Sequence, residues 1–120
     1  MKIKNKIGYC SNKHLKGVQG NPNGGHYVII RSINKNGTCD VNTFTSLEDS
    51  KGFKTNRIDH IKKGNIYPIP KYDANFPLWT GCTRKPIKNV KISHIKNIGK
   101  TKIKKRHLFF IGKFLNNKKR

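Results

Sequence analysis

The groups in this chain best suited to chemistry are an imidazole, two hydroxyls and an amine: His26, Thr45, Ser46 and Lys51, all within the stretch GGHYVIIRSINKNGTCDVNTFTSLEDSKGF. Such groups can move a proton, donate hydrogen bonds to a phosphate and balance the charge that develops on it. Cleavage of RNA by its own 2′-hydroxyl asks for no more than this. A metal-dependent reaction asks for converging carboxylates or imidazoles. The five acids are Asp40, Glu48, Asp49, Asp59 and Asp73, and only Glu48 and Asp49 adjoin. The chain has no DxD or HExxH motif, no Gly-rich phosphate loop with Lys-Ser/Thr, and no nucleophile elbow. Its three cysteines, Cys10, Cys39 and Cys82, are odd in number and widely spaced, which suits reduced thiols rather than a zinc site or a disulfide framework. No metal and no cofactor is expected, and the Glu48–Asp49 pair reads as a turn feature.

The elements that must position these groups are mostly strands. Apolar residues make up 33% of 120 residues, enough for one small core and a single domain over 1–115, followed by a basic tail at 116–120. The loop GVQGNPNGG (17–25) is too rich in Gly, Asn and Pro for regular structure and reads as a mobile recognition loop. His26 opens a β-branched run, NKNG (34–37) is a hairpin turn signal, and TCDVNTF alternates, so residues 26–44 predict a β-hairpin. The first and last residues of a hairpin share its open end, which would bring His26 towards Thr45 and Ser46. Residues 53–64 suit a strand or a short helical turn, and NIYPIP an edge strand. Residues 71–86 read as irregular, 87–95 as weakly alternating, and RHLFFIGKFL (106–115) as a second strong strand. Short strands joined by Gly/Pro loops predict an all-β or β-rich fold, a small SH3-like or OB-like barrel with one or two short helices.

The Gly25-His26 pair, the YVIIRS strand, the NKNG turn, the VNTFTS strand and Ser50-Lys51-Gly52 together resemble the central hairpin of the MazF/PemK family of endoribonuclease toxins. The related ToxN-like toxins are similar in carrying a Thr-Ser after a strand and a later strand comparable to NIYPIP. The resemblance implies an SH3-like barrel, metal-independent cleavage of single-stranded RNA, a homodimer, and control by an acidic antitoxin protein or an antitoxin RNA. It implies Thr45 and Ser46 as phosphate or proton donors, and Lys51 and Arg31 as charge stabilisers. The family places an Arg followed by Pro at the start of the first strand. Here Tyr27 follows His26, and His26 becomes the candidate acid/base.

Charge sets the partner class. The chain holds 27 Lys and Arg against five acids, a net charge of +22, with a pI near 10.4. A polyanion is the expected partner, RNA first, because phosphate contacts give affinity without sequence. Arg31, Lys54 and Arg57, together with Lys104, Lys105, Arg106 and His107, are the candidate nucleic-acid contacts, and Trp79, Phe76 and Tyr72 could stack bases. Each has a plainer duty to weigh: Thr45 and Ser46 as hairpin-exit residues bonding their own backbone, Trp79 as core, and the Lys-rich GKTKIKKRH run as a solvated stretch. A non-catalytic nucleic-acid-binding barrel is the alternative function. No apolar run reaches transmembrane length and the basic N-terminus lacks the apolar stretch of a signal peptide, so a cytoplasmic protein without a membrane partner is expected.

Overall fold

A computed structural model describes residues 2–18, 20, 21 and 23–116. The strands are β1 (Ile7–Ser11), β2 (Gly25–Ile33), β3 (Thr38–Ser46), β4 (Glu48–Asp49), β5 (Gly52–Phe53), β6 (Ile66–Ile69), β7 (Thr80–Thr83), β8 (Ile87–Lys91) and β9 (Ile95–Lys96). The helices are α1 (Thr55–Lys62) and α2 (Lys105–Asn116), and short 3-10 turns cover Asn12–His14, Lys71–Asp73 and Ile92–His94. The protein is thus β-rich and antiparallel, with two helices, as its β-branched composition predicts. The chain forms two compact units, one running to Phe44 and including Lys85–Thr101, the other covering Thr45–Arg84 and the segment from Lys102 onward.

In the first unit the strands lie in the order β8, β3, β2, β1, β9, all antiparallel. Among the described residues no ladder joins β8 to β9, so this sheet is open where a barrel would close. The predicted hairpin is present. Its turn is closed by the Asn34 N–H donating to Thr38 O at 2.8 Å, and Gly37 takes φ 77°, the left-handed region where a Cβ would be strained. Pairing runs from Ile33↔Cys39 to Val28↔Thr43, with a bulge between Ile30 and Ser32. Directly opposed residues of an antiparallel pair face the same side. Val28, Ile30, Cys39 and Val41 accordingly pack with Cys10, Ile3, Leu15, Val90 and Ile95 in one buried cluster. The second bulge, between Cys39 and Val41, turns Asp40 towards β8. Its carboxylate accepts from Asn34 Nδ2 at 3.1 Å, the Asn89 N–H at 3.1 Å and Ser32 Oγ at 3.2 Å. These donors, Asn34 first, hold Asp40 below the usual carboxylate range.

The second unit joins the β6–β7 hairpin (Ile66↔Thr83 to Ile69↔Thr80), the small β4–β5 hairpin and both helices. Residues 106–115, read above as a strand, belong to α2. The correction has a physical basis. His107 and Ile111 are the buried positions, and Phe114 packs against Tyr67, ring centroids 5.9 Å apart. That spacing of four and three residues is one helical face, and an unbroken apolar run cannot tell strand from helix by itself. Residues 55–62 resolve as helix, and β1, in a basic stretch to which the sequence analysis assigns no element, is a strand. Arg84 fastens both helix ends: its Nε donates to Gly64 O at 2.9 Å and Nη1 to Phe114 O at 2.6 Å, with the guanidinium 4.0 Å from the Phe114 ring centroid. A cation on terminal carbonyls also suits the negative end of a helix.

One glycine has a demanding role. A Cβ on Gly25 would sit 2.7 Å from both Cys10 O and the Tyr9 ring, because Tyr9 lies across the bare backbone there. Gly112, inside α2, has nothing within 4 Å of the same position. Gly25→Ala should therefore cost roughly 1–3 kcal/mol through overpacking. Gly112→Ala should gain roughly 1 kcal/mol from helix propensity. Urea unfolding of both variants beside the parent protein checks the pair of opposite signs.

Candidate nucleic-acid interface

His26 lies at the end of the β1–β2 ladder, opposite Cys10 and on its side of the sheet. The 3-10 turn after β1 brings Asn12 to it. Asn12 Nδ2 donates to Asn21 O at 2.9 Å, so its Oδ1 is the atom presented to His26 Nδ1, 2.5 Å away. An amide oxygen only accepts, so Nδ1 carries the ring proton and a neutral His26 holds its lone pair on Nε2. The loop that delivers Asn21 is tied down as well. The Asn23 N–H donates to Asn21 Oδ1 at 2.9 Å, Gly24 N–H to Asn21 O at 2.8 Å, and Asn12 N–H to Gly24 O at 2.9 Å. The sequence argument named His26 and the loop but missed Asn12, whose only signal was its position one residue beyond β1.

The other predicted catalytic groups belong to the second unit. Thr45 is half-buried and Ser46 exposed, at the last two positions of β3. Lys51 is exposed in the β4–β5 turn, where its N–H donates to Asp49 Oδ1 at 2.8 Å. Glu48 accepts from the Trp79 N–H at 3.2 Å and lies 4.0 Å from Lys71 Nζ. Asp49 thus closes the β4–β5 turn, whereas Glu48 is a strand residue that ties β4 to the Trp79 backbone. Leu47 between them and Ser46 is fully buried and donates to Trp79 O at 2.8 Å, which fixes where the two hydroxyl residues stand.

The predicted nucleic-acid contacts sort into three groups. Arg31 occupies the β2 bulge and its Nη1 donates to Asn5 Oδ1 at 2.7 Å, so the bulge re-aims it away from the ladder's own alternation. Lys54 caps α1 and is half-buried; Arg57, one turn along, is half-buried with its Nε lacking a hydrogen-bond partner. Lys105 is exposed at the start of α2. Lys104, Arg106 and His107 converge instead on Asp73: Lys104 Nζ at 3.0 Å, Arg106 Nη2 at 2.8 Å and His107 Nε2 at 2.7 Å. The far nitrogen of His107, Nδ1, meets the Tyr67 hydroxyl at 2.8 Å. His107 is buried, and both its nitrogens are engaged inside the unit. The stacking candidates divide too: Tyr72 is exposed, Trp79 is half-buried edge-on to Phe53, and Phe76 is core.

The first unit also carries a histidine pair among lysines that the sequence argument did not single out. His14 and His94 stack with centroids 3.7 Å apart. Partial desolvation, then His94 and the nearby Lys13, Lys91 and Lys96, lower the pKa of His14. The cysteines are free and buried, and burial pushes the Cys39 thiol up to about 11. Among the described residues no group of three or more His, Cys, Asp and Glu side chains converges. No helix among them is long and apolar enough to cross a membrane. No protein-family model matches the chain, and no curated protein matches it.

Asp73 yields a pH prediction. Hydrogen bonds from His107, Lys104 and Arg106, in that order, hold its carboxyl well below the usual aspartate range. A depressed folded-state pKa adds stability that is complete above the unfolded value, about 3.9, and is lost as pH falls below it towards the folded value. Thermal melting from pH 6 to pH 2 should show the parent protein losing Tm below about pH 4. Asp73→Asn should melt lower at pH 6 and lose less on acidification over the same range.

Proposed function

We propose that this protein is a metal-independent endoribonuclease that acts on single-stranded RNA in the cytoplasm, as the toxin of a toxin–antitoxin pair. The observation that carries this reading is the His26–Asn12 pair. An imidazole oriented by an amide, with its basic nitrogen defined, is the arrangement a proton-transfer step needs. In the proposed reaction His26 Nε2 takes the proton of the ribose 2′-hydroxyl as the 2′-oxygen bonds to phosphorus and the bond to the 5′-oxygen breaks. The departing 5′-oxygen takes a proton from solvent, and the imidazolium returns its own to solvent, leaving a 2′,3′-cyclic phosphate and a 5′-hydroxyl. The family resemblance suggests Thr45, Ser46 and Lys51 as donors to phosphate, and Arg31 and Lys105 are further candidates for phosphate contact. The net charge of +22 supports a polyanionic substrate. An acidic antitoxin protein or an antitoxin RNA is the proposed inhibitor, and a homodimer the proposed assembly.

A second reading is favoured by the allocation of the acids: Asp40, Glu48, Asp49 and Asp73 are engaged within the fold, while many lysines are exposed. That surface would serve a non-catalytic RNA-binding protein equally well.

Incubation with long RNAs in EDTA separates the two. The endoribonuclease yields fragments ending in 2′,3′-cyclic or 3′-phosphate, and His26→Ala slows cleavage by about 10²–10⁴-fold, with Asn12→Ala slowing it less. Salt-sensitive binding with no fragments, from several RNAs, leaves the binding protein and removes the enzyme. Expression of the active toxin should arrest growth of the host, and the His26→Ala form should not.

A further inference from the structure

On the side of the β1–β2 pair opposite His26 there is a cavity of about 280 Å³, lined by Gly8, Tyr9, Tyr27, Asn97, Lys100 and Thr101. Its volume lies near the lower end of pockets that hold small ligands, roughly 300–1,000 Å³. It has room for one monomer unit rather than a chain. Tyr9 and Tyr27 are directly paired in the ladder, so they share a face. Their ring centroids are 5.3 Å apart and the planes meet at 76°. Two rings at that angle form an aromatic corner, with the face of one beside the edge of the other, and each adds a hydroxyl. Lys100 supplies an exposed ammonium, Thr101 a hydroxyl, and no acid lines the cavity.

The walls are built by the backbone. The turn after β9 places Asn97 at φ 56° and Gly99 at φ 85°. It is closed by the Lys100 N–H donating to Asn97 O at 3.0 Å and pinned to β1 by the Gly99 N–H donating to Ile7 O at 2.9 Å. Gly8 lets this segment lie close: a Cβ there would collide with the Ile95 side chain and come within 3.0 Å of Lys96 O. Gly25 does the same for the opposite wall by giving Tyr9 a bare backbone to lie on. Two glycines and a tied turn thus hold an aromatic corner beside a cation before any ligand arrives.

We infer that this cavity takes one nucleotide of a single-stranded RNA, its base against the Tyr9–Tyr27 corner and its phosphate on Lys100 and Thr101. A flat π-face with polar edges matches the rings and their hydroxyls, and an anion one sugar away matches the ammonium. Stacking of this kind accepts any base and is worth about 1–3 kcal/mol per base. The inference rests on RNA being the ligand. It adds a binding subsite on the face of the sheet away from His26, which would hold the strand without taking part in its cleavage.

The test uses the whole protein and an oligoribonucleotide carrying 5-iodouridine. Ultraviolet irradiation followed by digestion and mass spectrometry should place the adduct on Tyr9 or Tyr27, and excess uridine monophosphate should reduce it. Tyr9→Leu and Tyr27→Leu should weaken binding by about 5- to 150-fold, the loss of one stacked base. Lys100→Gln, at an exposed position that does not threaten folding, should lower the slope of log K against log salt by about 0.7. Circular dichroism identifies any variant that fails to fold, and Lys100→Gln and the adduct map then decide. Tight, salt-sensitive RNA binding with adducts elsewhere and an unchanged slope in Lys100→Gln would overturn the subsite and leave the RNA reading standing. Absence of RNA binding by the parent protein overturns both.

Discussion

Mutual repulsion among cations is the constraint this fold is built around. A net charge of +22 on 120 residues opposes any compact state. What offsets it locally is where five acids are put. The first unit contains a single acid, Asp40, and it is bonded by three donors from two strands and a turn. That unit is held mainly by its apolar cluster, and its cations are left facing solvent. The second unit contains the other four, and Asp73 alone receives an ammonium, a guanidinium and an imidazole at the start of α2. A carboxylate there also suits the positive end of the helix. Removing it would leave three donors crowded together, one of them buried, which is a larger loss than a surface ion pair would suggest.

The same allocation shapes the surface. With only five acids, three of them tied chiefly to backbone or amide groups in turns and bulges, most of the exposed ammonium groups keep their positive field. Glu48 and Asp49 illustrate this: one accepts from the Trp79 backbone and the other closes the Lys51 turn. They stiffen the exit from Ser46, and only Glu48 meets a cation, Lys71 at 4.0 Å. A strongly basic protein can hence be well folded and still present most of its charge to a polyanion.

The parts of the fold that were legible in the sequence are those with a local cause. The 26–44 hairpin follows from Tyr27–Ile30, the NKNG turn and the alternation through Cys39 and Val41, all decided within a few residues. Residues 106–115 were misread because LFFI is equally apolar to either period. Only the partners of His107 and Phe114 decide it, Tyr67 on β6, Asp73 in the Lys71–Asp73 turn and Arg84 after β7. β1 escaped notice since Gly8 weakens its pattern, and the need for that glycine lies in Ile95, far along the chain. For the candidate site, His26, Thr45, Ser46 and Lys51 stood out by type and spacing. Asn12, Tyr9 and Arg84 did not, because each acts through a contact that exists only once the strands are in register.

The histidines show why residue type alone does not assign chemistry. His107 sits beside basic residues in sequence, a natural phosphate contact, yet Asp73 and Tyr67 hold its two nitrogens inside the second unit. Such a ring cannot pass a proton to a substrate without breaking one of those bonds. His14 and His94 are stacked on each other, an arrangement that disfavours two charges. His26 differs in that its known partner is an uncharged amide acting through an oxygen, which sets the tautomer without supplying a counter-charge. An imidazole oriented through Nδ1 has the direction of its Nε2 lone pair fixed. The hydrogen-bond partner, rather than the position in the sequence, separates His26 from His107, whose two nitrogens serve the fold.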